Sequence, residues 1–122
     1  MTFLKSGTLS MFVTIALGAF GAHGLKNHLD PAMMEIYKTA VFYQAIHALA
    51  LVTLDSVASR HGIRVTMAGW FFVAGTILFS GSLYALALTG QKLWGAVTPI
   101  GGLCFLGGWA VLFFSRRQAA GR

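Results

Sequence analysis

Two imidazoles, His23 and His47, fall inside long apolar stretches of the 122-residue chain. An ionisable side chain in hydrocarbon costs at least a few kcal/mol unless it is paired or faces a cavity, so each marks a concentration of chemistry or of polar packing. Histidine can carry a proton near neutral pH, ligate a metal or haem, or hold a neutral hydrogen-bond network. Gln44 precedes His47 by three positions, and Ser80 and Tyr84 stand four apart in a later apolar stretch. Such spacings place each pair on one helical face. Asp55 continues the face of Gln44 and His47 toward a segment end, where Lys5 is its expected ion-pair partner. His23, Gln44, His47, Ser80 and Tyr84 therefore form the expected buried polar network, and Lys5 with Asp55 an expected interfacial ion pair.

Composition says what must hold these residues. Hydrophobic residues make up 57% of the chain and charged residues only 10%, for a net charge of +6. Soluble domains carry roughly a quarter charged residues, and a chain this small cannot hide so much apolar surface in a globule. An integral membrane protein is the expectation. The positive charge lies at segment ends, where membrane topology accounts for it, so no nucleic-acid partner is expected. Cys104 is the only cysteine, which excludes an intramolecular disulfide, a CxxC pair and a thiolate zinc site.

A span of ~30 Å of hydrocarbon needs ~20 helical residues, and four stretches are long enough. They are expected as helices over about 5–26, 31–59, 65–89 and 98–116. Asp30 with Pro31 is a start signal for the second helix, and Gly90 a stop signal for the third. Thr98-Pro99 leaves two starts for the fourth: at Thr98 itself, which is preferred, or at a short helix around Trp94 that kinks at Pro99. The connections are turns. The expected architecture is all-α, a single transmembrane domain folded as an up-down-up-down four-helix bundle. Lys5 and the apolar run behind it also resemble a cleavable signal peptide, but the run is long for one.

Charge gives the orientation. Lys5, Arg60, Arg64, Arg116, Arg117 and Arg122 fall on one side, against Lys26, Lys38 and Lys92 on the other. Positive residues mark the cytoplasmic face, so both termini are expected in the cytoplasm. The first helix has small residues on two sides, Gly7, Ser10, Thr14, Gly18 and Gly21 on one and Ala16 and Ala19 with His23 on another, which suggests neighbours on both. At 1.5 Å per residue His23 lies ~11 Å outward of the middle of its span, while His47 lies near the middle of its own. One metal would need both nitrogens ~2 Å away, so no metal and no cofactor is assigned to the pair. Tyr84 and Gln44 are closer to the level of His23. Ser80, Gln44 and His47 then sketch a polar track from the outer interface to mid-membrane, which Asp55 continues.

At these residues the chain resembles a known family. Gly18-Ala19-Phe20-Gly21-Ala22-His23-Gly24-Leu25 and Tyr43-Gln44-Ala45-Ile46-His47-Ala48-Leu49-Ala50-Leu51 are similar to the small membrane proteins grouped as domain of unknown function 423. So are Phe79-Ser80-Gly81-Ser82-Leu83-Tyr84, Leu88-Thr89-Gly90 and Thr98-Pro99-Ile100-Gly101-Gly102. The resemblance implies a bacterial inner-membrane protein of four helices, matches the family's His and Gln positions to His23, Gln44 and His47, and supplies no activity. The chain offers no nucleotide loop, metal cluster or nucleophile-base pair, so no enzyme is expected. The functional expectation is an accessory, lipid-binding or partner-binding membrane protein, with the bilayer and a homo-oligomer or membrane-protein partner around it. The alternative is a small oligomeric transporter or proton-coupled permease that uses His47.

Overall fold

The computed structural model describes residues 2–118; Arg122, one of the six residues in the charge bias, lies outside them. Helix α1 (Phe3–His23) begins at Thr2, whose side chain accepts the Lys5 amide. Helix α2 (Pro31–His61) begins at Asp30, whose carboxylate accepts the Met33 amide at 2.8 Å. Proline at the first helical position costs nothing, because that amide has no partner within the helix. Gly62 ends α2 in the left-handed conformation at φ +63°.

The third span is not one uniform helix. It runs as α3 (Thr66–Gly75), a π-helical turn (Thr76–Ser80) and α4 (Gly81–Thr89), and stops at Gly90 with φ +71°. The fourth span combines both sequence readings. A 3-10 turn over Lys92–Ala96 leads into α5 (Thr98–Phe113), in which Pro99 occupies the first turn. Alone, the 16 residues of α5 rise only ~24 Å. The 3-10 turn adds ~10 Å and completes the crossing. All four helical segments are long and apolar enough to span a membrane, and turns join them in antiparallel order as a four-helix bundle.

The spans do not form a symmetric square. Helix α1 packs on α2, α5 packs on α3 and the π turn, and α2 faces the whole third span. Two three-sided junctions result, sharing α2 and the third span. Glycines set the distances. A Cβ on Gly7 would fall 2.6 Å from the Val52 amide nitrogen and 2.7 Å from the Ala48 carbonyl oxygen of α2. One on Gly101 of α5 would fall 2.2 Å from the Phe79 amide nitrogen in the π turn. With little hydrophobic drive between helices in lipid, such close backbone approach supplies the van der Waals contact that holds them.

The expectation of neighbours on both sides of α1 is corrected. Its buried residues are Gly7, Thr14 and Gly21, seven apart, which is the pattern of a single seam. Ala16, Ala19 and His23 are exposed on the opposite side.

Candidate functional site

The first junction, between α1, α2 and α4, carries one polar chain. The Tyr84 hydroxyl donates to Gln44 Oε1 at 2.6 Å. Gln44 Nε2 reaches Ser10 of α1, at 3.3 Å from its carbonyl oxygen and 3.4 Å from its hydroxyl. Tyr37 donates to the Leu17 carbonyl and meets the Tyr84 ring edge-on, with centroids 5.2 Å apart. Gly21 makes room for that contact, since a Cβ there would fall 2.4 Å from the Tyr37 ring. Three helices are thereby fixed in depth and rotation by side chains that each satisfy another.

The second junction holds His47, which is 3% exposed. Its Nδ1 lies 2.8 Å from the Tyr43 carbonyl oxygen one turn earlier, and its Nε2 lies 3.0 Å from Trp109 Nε1 on α5. A carbonyl only accepts and an indole N–H only donates, so the ring is the neutral tautomer with its proton on Nδ1. A second proton on Nε2 would point at the indole N–H. The imidazole lies flat on Phe105, centroids 3.6 Å apart at an interplanar angle of 7°, and meets Phe72 at 5.2 Å. Gly75 accommodates Phe105 and Gly108 accommodates Phe72, because a Cβ at either would come within 2.5 Å of the facing ring. Both ring nitrogens are engaged, so no lone pair is left for a metal.

Ser80 joins neither cluster. Its hydroxyl donates to the Ala40 carbonyl at 2.8 Å and pins the end of the π turn to α2. The expected continuous track is therefore divided into three separate tethers, and no buried side-chain nitrogen or oxygen among the described residues lacks a partner.

Two other expectations are corrected. His23 is exposed, and its Nδ1 contacts the Ala19 carbonyl of its own helix at 3.0 Å. It stands two positions beyond Gly21, about 200° round the helix from the buried seam, which points it away from Gln44 and Tyr84. Lys5 and Asp55 form no ion pair. The Asp55 carboxylate instead accepts the Leu4 amide at 3.4 Å. Amides in the first helical turn lack internal partners, and meeting one orders no long, flexible lysine side chain.

Trp109, Phe105 and Phe72 are the residues that sequence reasoning missed. The available signal was the i, i+4 spacing of Phe105 and Trp109 at about the depth of His47. That spacing is also ordinary for two aromatics on one packed helix face, so it names no partner by itself.

Open depressions outside the junctions, among the described residues, include the following pair. One of about 410 Å³ runs between α1 and α2 past Gly18, Gly21 and Val41. A larger cleft of about 1580 Å³ lies between α3 and α5, at the end of the bundle where the described residues begin and end.

The relatives of this chain are named as membrane proteins, in keeping with its four apolar helical segments. A UPF0382 membrane protein of Staphylococcus haemolyticus is 42% identical over 119 residues, covering 98% of each chain. The UPF0382 membrane protein YwdK of Bacillus subtilis is 40% identical over 112 residues, covering 90% of this chain and 91% of the relative. The UPF0382 inner membrane protein YgdD of Escherichia coli K12 is 45% identical over 110 residues, covering 85% of this chain and 80% of the relative. No solved structure matches. The family model described as "Protein of unknown function (DUF423)" matches residues 17–102, the stretch that runs from the tyrosine-glutamine junction through His47 to the glycine contact at the π turn. The chain belongs to that family of membrane proteins.

Proposed function

We propose that the protein is a non-enzymatic membrane scaffold that acts by binding lipid or a membrane partner on its outer surface, while its interior polar groups hold the four spans in register. The carrying observation is that every buried side-chain nitrogen and oxygen among the described residues has a hydrogen-bond partner, with both nitrogens of His47 engaged. A fully satisfied buried network rigidifies and specifies a packing. A proton carrier needs a lone pair that is free at some stage, and Nε2 would first have to part from Trp109. The open surface, by contrast, includes the cleft between α3 and α5 and large lipid-facing residues such as Phe12, Leu103 and Phe113. The bacterial inner membrane is the proposed location, with both termini in the cytoplasm.

The test is gentle purification followed by mass spectrometry of everything that copurifies, together with proton flux in vesicles under an imposed pH gradient. The expected result is a retained phospholipid or a specific membrane protein, with flux no greater than in empty vesicles. Flux that depends on pH and disappears in His47→Ala would replace this reading with proton-coupled transport.

A further inference from the structure

The cleft between α3 and α5 has a charged mouth and an apolar wall. Arg64, Arg116 and Arg117 stand at the mouth, and Phe71, Ala74 and Cys104 line the depth. The arginines come from two distant parts of the chain. The amide of Gln118 donates to the Gly62 carbonyl at 2.7 Å, which folds the segment after α5 back over the α2–α3 turn. The Arg117 side chain passes over Gly62 itself, its Cγ 3.4 Å from where a Cβ would stand. Among the described residues none of the three arginines has an acidic partner, the sole ion pair there being Lys38 with Glu35 at 3.7 Å. The nearest acid in the topology, Asp55, already accepts the Leu4 amide.

Dimensions narrow the occupant. From Thr66 to Ala74 the α3 wall rises ~12 Å, and from Cys104 to the end of α5 at Phe113 the facing wall rises ~14 Å. Both match the ~15 Å depth of one leaflet's hydrocarbon. Trp70, 63% exposed and lining the same cleft, stands one turn into α3, at the height where indoles favour the boundary between headgroups and chains. A slot one leaflet deep, apolar below and three times cationic above, complements a lipid whose headgroup carries net negative charge.

We infer that this cleft is a binding site for one anionic phospholipid, its phosphate held by Arg64, Arg116 and Arg117 and an acyl chain laid against Phe71 and Ala74. The inference rests on the lipid-binding form of the function proposed above and names its site and lipid class. Guanidinium groups suit the phosphate because they present paired donors and remain charged. A zwitterionic headgroup offers the same phosphate but adds a cation that the three arginines repel.

Native mass spectrometry of the full-length protein, titrated with dioleoylphosphatidylglycerol or dioleoylphosphatidylcholine, tests the site. The wild type should hold phosphatidylglycerol roughly tenfold more tightly. Combined Arg64→Gln, Arg116→Gln and Arg117→Gln should remove that preference, whereas Lys26→Gln, Lys38→Gln and Lys92→Gln together, an equal charge change at the opposite end, should preserve it. Ala74→Phe fills the slot without altering charge and should weaken both lipids. Inorganic phosphate should not displace the lipid.

An arginine variant that keeps the wild-type preference overturns the site but leaves the lipid-binding reading standing. So does a lysine variant that loses the preference equally, or displacement by phosphate. A stable wild-type dimer that buries Trp70 would assign the cleft to a second copy instead. A wild type that retains neither lipid nor partner overturns both.

Discussion

Trp109 donates to His47 Nε2 a hydrogen bond that neither residue can replace locally. Trp109→Phe keeps an aromatic ring but removes the indole N–H and leaves Nε2 without a donor; the hydrogen-bond part of the cost in a membrane interior is about 1 kcal/mol. Tyr84→Phe removes the bond to Gln44 in the other junction at a similar cost. The two clusters share no hydrogen-bond partner, so the losses should add within about 0.5 kcal/mol in the double variant. Unfolding in detergent micelles measures this, and strong coupling would mean that the polar residues act as one track after all. At this scale the sequence announced that His47 and Gln44 would be buried, because polar residues recurring at helical spacing cannot face lipid cheaply, while Tyr84, expected beside them, is half-buried. It did not announce their partners. Which residue meets a ring nitrogen depends on the relative rotation of two spans, here α2 and α5, and no local pattern encodes that angle. His23 misled for the same reason: an ionisable group near a span end satisfies itself against its own helix and needs no neighbour.

Among the elements, the π turn decides how the third span is used. The Gly81 amide reaches back five residues to the Thr76 carbonyl, so the face presented after Ser80 is rotated from that of an unbroken α-helix. Phe72 can then address His47 and α5, while Ser80 and Tyr84 address α2 and the first junction. The widened backbone meets Gly101 directly, with Phe79 Cα only 2.6 Å from the site of a Cβ. Backbone cannot swing aside as a side-chain tip can. Gly101→Ala is therefore expected to destabilise by about 2–3 kcal/mol, at the upper end for overpacking. Gly102→Ala, one residue on, would place its Cβ 3.7 Å from the Phe79 ring, an ordinary contact, and is expected to stay near wild type. Melting temperatures of the two variants in the same detergent separate them; equal melting would mean that α5 is free to shift. Span number, the Asp30-Pro31 start and the Gly90 stop were legible because each is a local signal. The π turn was not, since Thr76 to Ser80 carries no breaker and its geometry answers to α5.

The whole molecule has an electrical as well as a mechanical asymmetry. One end gathers Lys5, Arg60, Arg64, Arg116 and Arg117, and the other Lys26 and Lys92 with the Lys38–Glu35 pair. The bundle is antiparallel throughout, so both described chain ends lie at the strongly basic end. Translocation of short basic segments is disfavoured, and the same residues would be drawn to an anionic leaflet surface once there. Insertion and the proposed lipid site thus call on one set of charges. A C-terminal green fluorescent protein fusion should fluoresce, and a C-terminal alkaline phosphatase fusion should remain inactive, in cells expressing the full chain. In the sequence's charge count, the combined Arg64, Arg116 and Arg117 to Gln variant leaves Lys5, Arg60 and Arg122 against Lys26, Lys38 and Lys92. With the bias reduced to parity, a mixed population with both reporters partly active is expected. Full retention of the wild-type topology would show that the first span alone orients the chain, and would leave the arginines with lipid binding as their remaining role.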